Sequence, residues 1–428
     1  MSGRSDVALS RRGFLGAGAL LGAAALPGVA SAGGAANAVA VSPAIAALSS
    51  VADKVVPITV DERRARIAKA QQLMGRSGVD ALFVGAGTSL TYFTGIRWGN
   101  SERLTGVIVP REGEPVYVTP EFERERTLEQ IKFGTDVRGW HEHEDPYRLV
   151  GQVLKECGAS TGKVAIEEMV PYFRFKGIAK ASPHVDFVEA QDIVAGCREV
   201  KSPAELALMT LANQTTLAVY EAVWRSIKPG MTQYDVTALL QQAYGRTGLA
   251  GGASINVGQF TASPHGSSKP QVIVEGTPII FDGGCKADGY TSDITRTVVV
   301  GEPTDKMRKV FDIVLKAETA VAKAARPGMT HASLDAIARK VIADAGYGAD
   351  YQHFTHRLGH GIGMDMHEWD YLVRGNNRVL APGMTFSDEP GIYIPGEFGV
   401  RLEDILYITQ DGAGLMTPQS PSIDAPFG

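Results

Sequence analysis

The C-terminal half of the chain contains an internal repeat, and this repeat strongly limits how the chain can fold. The motif Lys228–Thr232 (KPGMT) recurs as Arg326–Thr330 (RPGMT), and each copy stands between two predicted helices. Downstream of each copy an apolar run ends in an acid, at Asp282 in the first copy and at Glu389 in the second. Matching motifs followed by matching acids predict a duplicated helix–helix–hairpin unit with approximate two-fold symmetry.

The acids of the repeat predict a metal site. Each first acid is followed by a second, so that Asp293 comes after Asp282 and Glu403 after Glu389. We expect Asp282 and Asp293 to face each other across neighbouring strands, about 4.5–5.5 Å apart, where two carboxylates repel unless a cation lies between them. Two divalent ions would neutralise the four carboxylates. His360 adds one imidazole, and an oxygen-dominated set with one nitrogen suits Mn²⁺, Co²⁺, Fe²⁺ or Zn²⁺.

The histidines are concentrated in the same part of the chain. Six of the nine histidines lie between residues 265 and 367, among them His265, His353, His356, His360 and His367. An isolated aspartate at a strand end is usually a turn or cap residue, and a lone histidine is usually a surface or core residue. Because the histidines and the repeated acids occur together, we favour a dinuclear metal site over these simpler interpretations.

Composition and charge exclude several other classes of protein. The chain has 428 residues, of which 44% are hydrophobic and 21% charged, as in soluble globular proteins. Its formal charge of −5 gives no basic surface for nucleic acid. The three cysteines are far apart and predict neither a thiolate metal site nor a disulfide framework. After residue 32 no apolar stretch is long enough to predict stable insertion into a membrane.

The first 32 residues are typical of an export signal. Arg11 and Arg12 precede a short apolar run rich in Gly and Ala, and Ala30–Ala32 offers small residues for signal peptidase. The paired arginines favour the twin-arginine route over an ordinary secretory signal, which predicts a periplasmic or secreted protein. Residues 33–56 lack a clear period and are predicted to be a flexible linker.

Two domains are predicted after the linker. Residues 57–195 alternate short apolar strands with helical stretches, which predicts a small α/β domain, and Asp61 is placed to cap its first helix. The sequence Ser202–Glu205 is a capping box with proline at the first helical position, and it predicts a long helix that reaches about Ile227. Residues 196–428 are therefore predicted to form the second domain.

The motifs FDGG, DITRT, HRLGHGIG, EPG and RLED resemble those of the pita-bread metallopeptidases, the group of methionine aminopeptidases, prolidases and aminopeptidases P. Within them, the family's five metal ligands correspond to Asp282, Asp293, His360, Glu389 and Glu403. Residues 57–195 resemble the creatinase-type N-terminal domain, through Tyr92–Gly95 and the overall pattern. The resemblance implies an α+β fold with a pita-bread catalytic domain, and it implies cleavage of the bond before proline in di- or oligopeptides. It also implies a homodimer or homotetramer.

The resemblance also assigns the remaining site residues. His265, His356 and His367 correspond to the active-site histidines of the Xaa-Pro branch, and Arg401 corresponds to the arginine beside the last ligand. The expected nucleophile is a hydroxide that bridges two divalent metal ions. Glu389 is placed to accept the proton and pass it to the leaving nitrogen. Either His367 or His265 could stabilise the oxyanion, while His356 lines the proline pocket or holds a neighbour.

Three residues near the motifs invite a separate interpretation. Asp370 stands where many relatives carry proline. Asp388, directly before Glu389, is expected to point away from the site into solvent. Cys285 is expected to be a small buried core residue and not a soft metal ligand.

The sequence leaves several questions open. It does not decide between a dipeptide and a longer peptide as substrate, although Arg401 is a candidate to bind the carboxylate of proline. It does not fix the metal, for which manganese is favoured and cobalt, zinc or iron remain alternatives. A related C–N hydrolase or lyase on the same fold, or an exported peptide- or metal-binding protein, is the alternative function.

Overall fold

A computed structural model describes residues 41–428 of the chain. The predicted signal segment 1–32 and residues 33–40 of the predicted linker lie outside the described residues. The described part begins with a short helix, α1 (Pro43–Ala46), and a 3-10 turn at Ala52–Lys54.

The N-terminal domain is a mixed six-stranded sheet with helices packed against it. Its strands are β1 (Ala81–Gly85), β2 (Gly106–Pro110), β3 (Val116–Pro120), β4 (Val137–Trp140), β5 (Lys163–Ile166) and β6 (Asp186–Glu189). They lie in the order β4-β3-β2-β1-β5-β6, and β1 is antiparallel to β2 and parallel to β5. The helices are α2 (Val60–Ser77), α3 (Thr88–Thr94), α4 (Arg124–Gln130), α5 (Pro146–Glu156), α6 (Tyr172–Ala181) and α7 (Gln191–Arg198). All residues of β1 are buried, as its continuous apolar run predicts.

The predicted cap of α2 is wrong by two residues. The side chain of Thr59, and not that of Asp61, accepts the hydrogen bond from the backbone N–H of Glu62, at 3.1 Å. Thr59 has the extended backbone that a capping residue needs, whereas Asp61 already lies in the first turn. There its negative charge still complements the helix dipole.

The second domain consists of two similar units. The first contains α8 (Pro203–Trp224), α9 (Gln233–Thr247), β7 (Ala250–Val257), β8 (Thr277–Ala287), β9 (Tyr290–Thr291) and β10 (Ile294–Val300). The second contains α10 (Asp305–Ala324), α11 (His331–Asp344), β11 (Gly359–Gly361), β12 (Glu368–Leu372), β13 (Thr385–Asp388), β14 (Gly391–Ile394), β15 (Phe398–Arg401), β16 (Asp404–Ile408) and β17 (Ala413–Leu415). The strand orders are β10-β8-β7, with β9 beside β8, and β12-β11-β13-β16-β17, with β14 paired to β15. Two helices precede a sheet in each unit, which confirms the predicted duplication.

The repeated motif has the same structural role in both units. The side chain of Thr232 caps α9, and the side chain of Thr330 caps α11. Each threonine also forms an isolated β-bridge to the segment before its hairpin, Thr232 with Val272 and Thr330 with Val379. The two units meet at a bridge between Thr295 and Glu403, so their acids are brought to one place.

The capping box at the start of the second domain is confirmed. The side chain of Ser202 accepts from the N–H of Glu205, and the Glu205 carboxylate accepts from the N–H of Ser202. The helix that it opens ends at Trp224, slightly earlier than the predicted Ile227.

The prediction of a flexible linker is wrong for residues 41–56. Ile45 in α1 is fully buried and belongs to the same hydrophobic cluster as residues of α8 and α9. The Ser42 hydroxyl bonds to the Ser226 hydroxyl at 2.5 Å, and the N–H of Val51 donates to the Thr247 carbonyl at 2.9 Å. Ile45 and the partly buried apolar residues around it dock this segment, and a weakly periodic stretch does not reveal such contacts.

The two domains share a hydrophobic core. Buried residues of α2 and α7 form one hydrophobic cluster with those of α8 and α9.

Between residues 41 and 428, no helix combines the length and apolarity needed to cross a membrane.

Candidate active site

A cavity of about 520 Å³ opens where the two units of the second domain meet. Every predicted site residue lines it: His265, Asp282, Asp293, His356, His360, His367, Glu389, Arg401 and Glu403. Pro264, Arg357 and Met366 complete the lining, and the sequence analysis did not single out these three. The residues come from both units and from the loops between their strands.

The first pair of acids is arranged differently from the expected facing pair. Asp282 lies in β8 opposite Thr295 of β10, and Asp293 precedes β10. Asp293 therefore lies in the break between β9 and β10 and is not the direct cross-strand partner of Asp282. The Asp282 side chain is about one-third exposed, whereas Asp293 is buried.

A compact set of possible metal ligands lies at the floor of the cavity. Asp293, His360 and Glu403 each offer one ligand atom, and these atoms lie within 4.8 Å of one another. Nε2 of His360 is also 3.4 Å from Oε1 of Glu389. Its Nδ1 bonds to the Gly361 carbonyl at 3.0 Å, which directs Nε2 towards the acids.

The buried carboxylates lack enough partners of their own. Oδ1 of Asp293 and Oε1 of Glu403 are buried and have no hydrogen-bond partner within the described residues. An unsatisfied buried carboxylate oxygen is costly, and a divalent cation placed between these groups would satisfy both. The donor set therefore fits divalent metal ions, with Asp282, Asp293, His360, Glu389 and Glu403 as the residues that would hold them.

The pKa shifts of the residues at the floor of the cavity also support a site for divalent metal ions. Burial, followed by the charges of Asp282 and Glu389, raises the pKa of Asp293 well above its usual range. Burial also raises the pKa of Glu389 to about 7 and that of Glu403 well above its usual range. Burial lowers the pKa of His360 to about 3, which keeps its imidazole in the neutral form that binds metals. These acids need a positive charge to stay ionised.

Ser387 fixes two of the candidate ligands together. Its hydroxyl donates to Oε1 of Glu389 at 3.1 Å and accepts from the N–H of His360 at 3.0 Å. This contact requires a glycine at position 359, because a Cβ there would lie 1.9 Å from the Ser387 carbonyl oxygen.

Arg401 is buried and its guanidinium is almost completely engaged. It donates to Asp282 at 2.5 Å, to the Tyr393 hydroxyl at 2.9 Å, to the Pro264 carbonyl at 3.2 Å and to the Thr295 hydroxyl at 3.2 Å. Arg401 therefore holds one candidate ligand and one wall of the cavity in place.

The three remaining histidines differ in whether their ring nitrogens form hydrogen bonds. Both ring nitrogens of His356 are engaged, Nε2 with the Tyr393 hydroxyl at 2.7 Å and Nδ1 with the Arg357 carbonyl at 2.8 Å. His265 and His367 are exposed to the cavity, and across residues 41–428 their side chains make no hydrogen bond. Burial, and then the positive charge of Arg357, lower the pKa of His367.

The expectation for Asp388 is wrong. Asp388 is fully buried, and neither carboxylate oxygen has a hydrogen-bond partner in the described part of the chain. In the register of β13 and β16 it lies opposite Asp404, which pairs with Arg296 at 2.8 Å. The strand pairing turns Asp388 into the core behind the site, and burial raises its pKa well above the usual range.

The other two residues have plain structural roles. Cys285 is buried, and its Sγ lies 3.3 Å from the Ala212 carbonyl oxygen, so the prediction of a core residue is confirmed. Asp370 pairs with Arg378 at 2.6 Å, outside the cavity.

Sequence reasoning missed two polar groups of the site. Tyr393 links His356 to Arg401, and Arg357 lines the cavity. Arg357 directly follows His356 in the histidine-rich motif, and this adjacency was the available signal. Tyr393 follows the EPG motif without any pattern that marks it as functional.

Two family models match the chain. Residues 207–410 match metallopeptidase family M24, and residues 66–200 match the creatinase/prolidase N-terminal domain. An Xaa-Pro dipeptidase from Lactobacillus delbrueckii subsp. lactis is 34% identical over 80% of this chain and 94% of that protein.

Solved structures of similar proteins give the same picture. Dipeptidase PepE from Mycobacterium ulcerans matches with a TM-score of 0.78 and 33% identity, over 85% of this chain and 98% of that chain. A prolidase from Pyrococcus furiosus matches with a TM-score of 0.71 and 31% identity, over 82% of this chain and 99% of that chain. The likeness extends through both domains.

Proposed function

Because the chain belongs to metallopeptidase family M24 and carries a creatinase/prolidase N-terminal domain, we propose that it hydrolyses the peptide bond before proline in Xaa-Pro dipeptides. The observation that carries the proposal is the single cavity that joins five metal-type ligands to three further histidines. The names of the similar proteins, Xaa-Pro dipeptidase and prolidase, support this substrate class.

Different residues of the cavity serve different steps of hydrolysis. Divalent ions held by the five ligands would supply a Lewis acid that polarises the scissile carbonyl and lowers the pKa of the attacking water. Glu389 accepts the proton of that water and passes it to the proline nitrogen. The nitrogen of an Xaa-Pro bond carries no hydrogen, so it leaves as an amine only after it receives this proton.

The free histidines are suited to bind the substrate. His265 and His367 are open to the cavity, and either ring can donate to the oxygen on which negative charge develops. His356 has both nitrogens engaged, so we assign it the positioning of Tyr393 and, through Tyr393, of Arg401. We propose manganese as the metal, because four carboxylates and one imidazole form a mainly hard donor set.

The decisive experiment is a hydrolysis assay on metal-depleted protein to which Mn²⁺, Co²⁺ or Zn²⁺ is restored. We expect release of proline from Ala-Pro, fastest with Mn²⁺, and no measurable cleavage of Ala-Ala. Cleavage of Ala-Pro-Ala before proline at the same rate would make the protein an aminopeptidase P and not a dipeptidase. If the metal-loaded protein cuts no Xaa-Pro bond, the proposal fails, and the alternative of a C–N hydrolase or lyase takes its place.

We also propose that the protein is exported by the twin-arginine route to the periplasm or the medium. The support is the Arg11–Arg12 pair before a weakly apolar run and the Ala30–Ala32 site. When the full-length protein is expressed in a host with this pathway, we expect a mature form that starts after Ala32 outside the cytoplasm. Arg11→Lys combined with Arg12→Lys should leave the precursor inside, whereas Arg4→Lys should not. Export of the doubly substituted protein would contradict the proposal.

The homodimer or homotetramer that the family resemblance implies stays a prediction.

A further inference from the structure

Arg357 is a cationic residue of the cavity whose guanidinium has no polar partner. The side chain lines the cavity and is half-buried. In the described part of the chain, no carboxylate lies within 4.0 Å of its nitrogens, and the guanidinium makes no hydrogen bond. An arginine presents five N–H donors in a planar fork that matches a carboxylate. All five are available here.

Tyr371 holds this guanidinium beside the candidate metal ligands. The Cζ atom of Arg357 lies 3.9 Å from the centre of the Tyr371 ring. Tyr371 in turn is the cross-strand partner of His360 in the pairing of β11 with β12. Stacking on an aromatic face orients an arginine without using its N–H groups. Arg357 and His367 line the same cavity.

Arg401, the other arginine of the cavity, has few N–H groups left to bind a substrate carboxylate. Its guanidinium already donates to Asp282, Tyr393, Pro264 and Thr295, and the side chain is buried. If a substrate carboxylate took its N–H groups, Asp282 would lose its charge partner. The candidate that the sequence analysis named for the proline carboxylate therefore already has a structural role.

The charge balance of the cavity leaves room for an anion. Two divalent ions would offset the four carboxylates of Asp282, Asp293, Glu389 and Glu403. Arg401 and Arg357 then give the cavity an excess of positive charge, and of these two only Arg357 has no polar partner in the described part of the chain. Consecutive Cα atoms are about 3.8 Å apart, so the carboxylate of a dipeptide lies within about one residue length of the scissile carbonyl. Its binding partner must therefore lie in this same cavity.

We propose that Arg357 binds the C-terminal carboxylate of the substrate and thereby selects dipeptides over longer peptides. This inference rests on the proposed Xaa-Pro hydrolysis and names the substrate end that the site recognises. In a longer peptide the carboxylate lies at least one residue further away, and Arg357 faces a neutral peptide group instead.

The test compares Ala-Pro with Ala-Pro-amide, which differ only in this charge. We expect Arg357→Met to lower kcat/KM for Ala-Pro by about 10- to 150-fold, the loss that corresponds to a hydrogen bond with a charged group. For Ala-Pro-amide the change should stay within about 3-fold, because a neutral amide gains little from the guanidinium. Arg357→Lys should keep part of the preference, since lysine retains the charge but not the fork.

The matched control is Arg374→Met. Arg374 is also near a tyrosine ring, at 5.7 Å from the centre of Tyr351, but it does not line the cavity. We expect this substitution to leave both substrates unchanged. An equal loss for Ala-Pro and its amide in Arg357→Met would assign Arg357 a structural role and overturn the inference.

A binding measurement tests the inference without relying on hydrolysis of a substrate. By calorimetry, the metal-loaded protein should bind L-proline more tightly than L-prolinamide, and Arg357→Met should abolish the difference. An unchanged difference in Arg357→Met would overturn the inference even if Ala-Pro is hydrolysed. Failure of the wild-type protein to cut Ala-Pro would instead overturn the proposed function, and the inference with it.

Discussion

Replacement of Glu389 by glutamine is expected to lower kcat/KM for Ala-Pro by about 10²- to 10⁴-fold, the range attributed to a general acid–base group. Glutamine has nearly the same shape but cannot accept the proton that must reach the proline nitrogen. Steady-state kinetics at saturating metal measure the loss. Metal content, determined by elemental analysis of the same samples, separates a failure of proton transfer from a failure of metal binding.

Glu397→Gln is the matched control for this experiment. Glu397 lies in the hairpin that follows Glu389, between β14 and β15, and its exposed side chain pairs with Lys306. We expect its activity to stay within about 2-fold of the wild type, since exposed ion pairs contribute little. If Glu389→Gln retains wild-type activity with full metal content, another residue carries the proton.

The placement of the acids could be predicted from the sequence because it follows from the repeat, whereas the placement of the histidines rested on their concentration in the chain and on the family resemblance. Asp282 and Glu389 each end an apolar strand of a duplicated unit, and two-fold symmetry brings such positions together. Their order along the chain was enough to place them in one cavity. This order was not enough to give the register of the side chains, because Asp293 lies in the break between β9 and β10 and does not face Asp282 across two strands.

Partners of charged side chains could not be predicted in this way. Arg401 and Arg357 both lie within three residues of a candidate ligand in the sequence, yet Arg401 is surrounded by acceptors and Arg357 stacks on Tyr371. Asp388 was expected in solvent, and the pairing of β13 with β16 places it in the core. Such outcomes depend on which strand lies opposite, and residues distant in sequence decide that.

The N-terminal domain contacts the loop that carries His367, and no sequence motif predicted this contact. Asp365 accepts from the Thr88 hydroxyl at 2.6 Å and from Arg198 at 2.7 Å. Arg198, at the end of α7, also donates to Glu368 at 2.5 Å. His367 lies between the two acids, so the N-terminal domain helps to fix the loop from which His367 enters the cavity.

Glu368 is the centre of this connection. Its carboxylate pairs with Arg198 and, at 2.9 Å, with Lys201, and all three side chains are buried. One carboxylate oxygen also accepts from the N–H of Met364 at 2.9 Å. Burial alone would raise the pKa of Glu368, but the charges of Arg198 and Lys201 lower it to about 2. Glu368 is therefore ionised at neutral pH.

Glu368→Gln is expected to lower the free energy of unfolding by about 3–5 kcal/mol, because it leaves the buried Lys201 without a counter-charge and the buried Arg198 with Asp365 alone. Urea denaturation at neutral pH measures the change. Glu397→Gln again serves as the control, since it also removes the charge of a glutamate paired with a lysine, but at the surface, where the expected change is about 0–1 kcal/mol. Adding Lys201→Met to Glu368→Gln should restore part of the loss, because the unpaired ammonium is then removed as well. Equal effects of the two single glutamine variants would show that burial does not strengthen this pair, and that the N-terminal domain holds the His367 loop by other contacts.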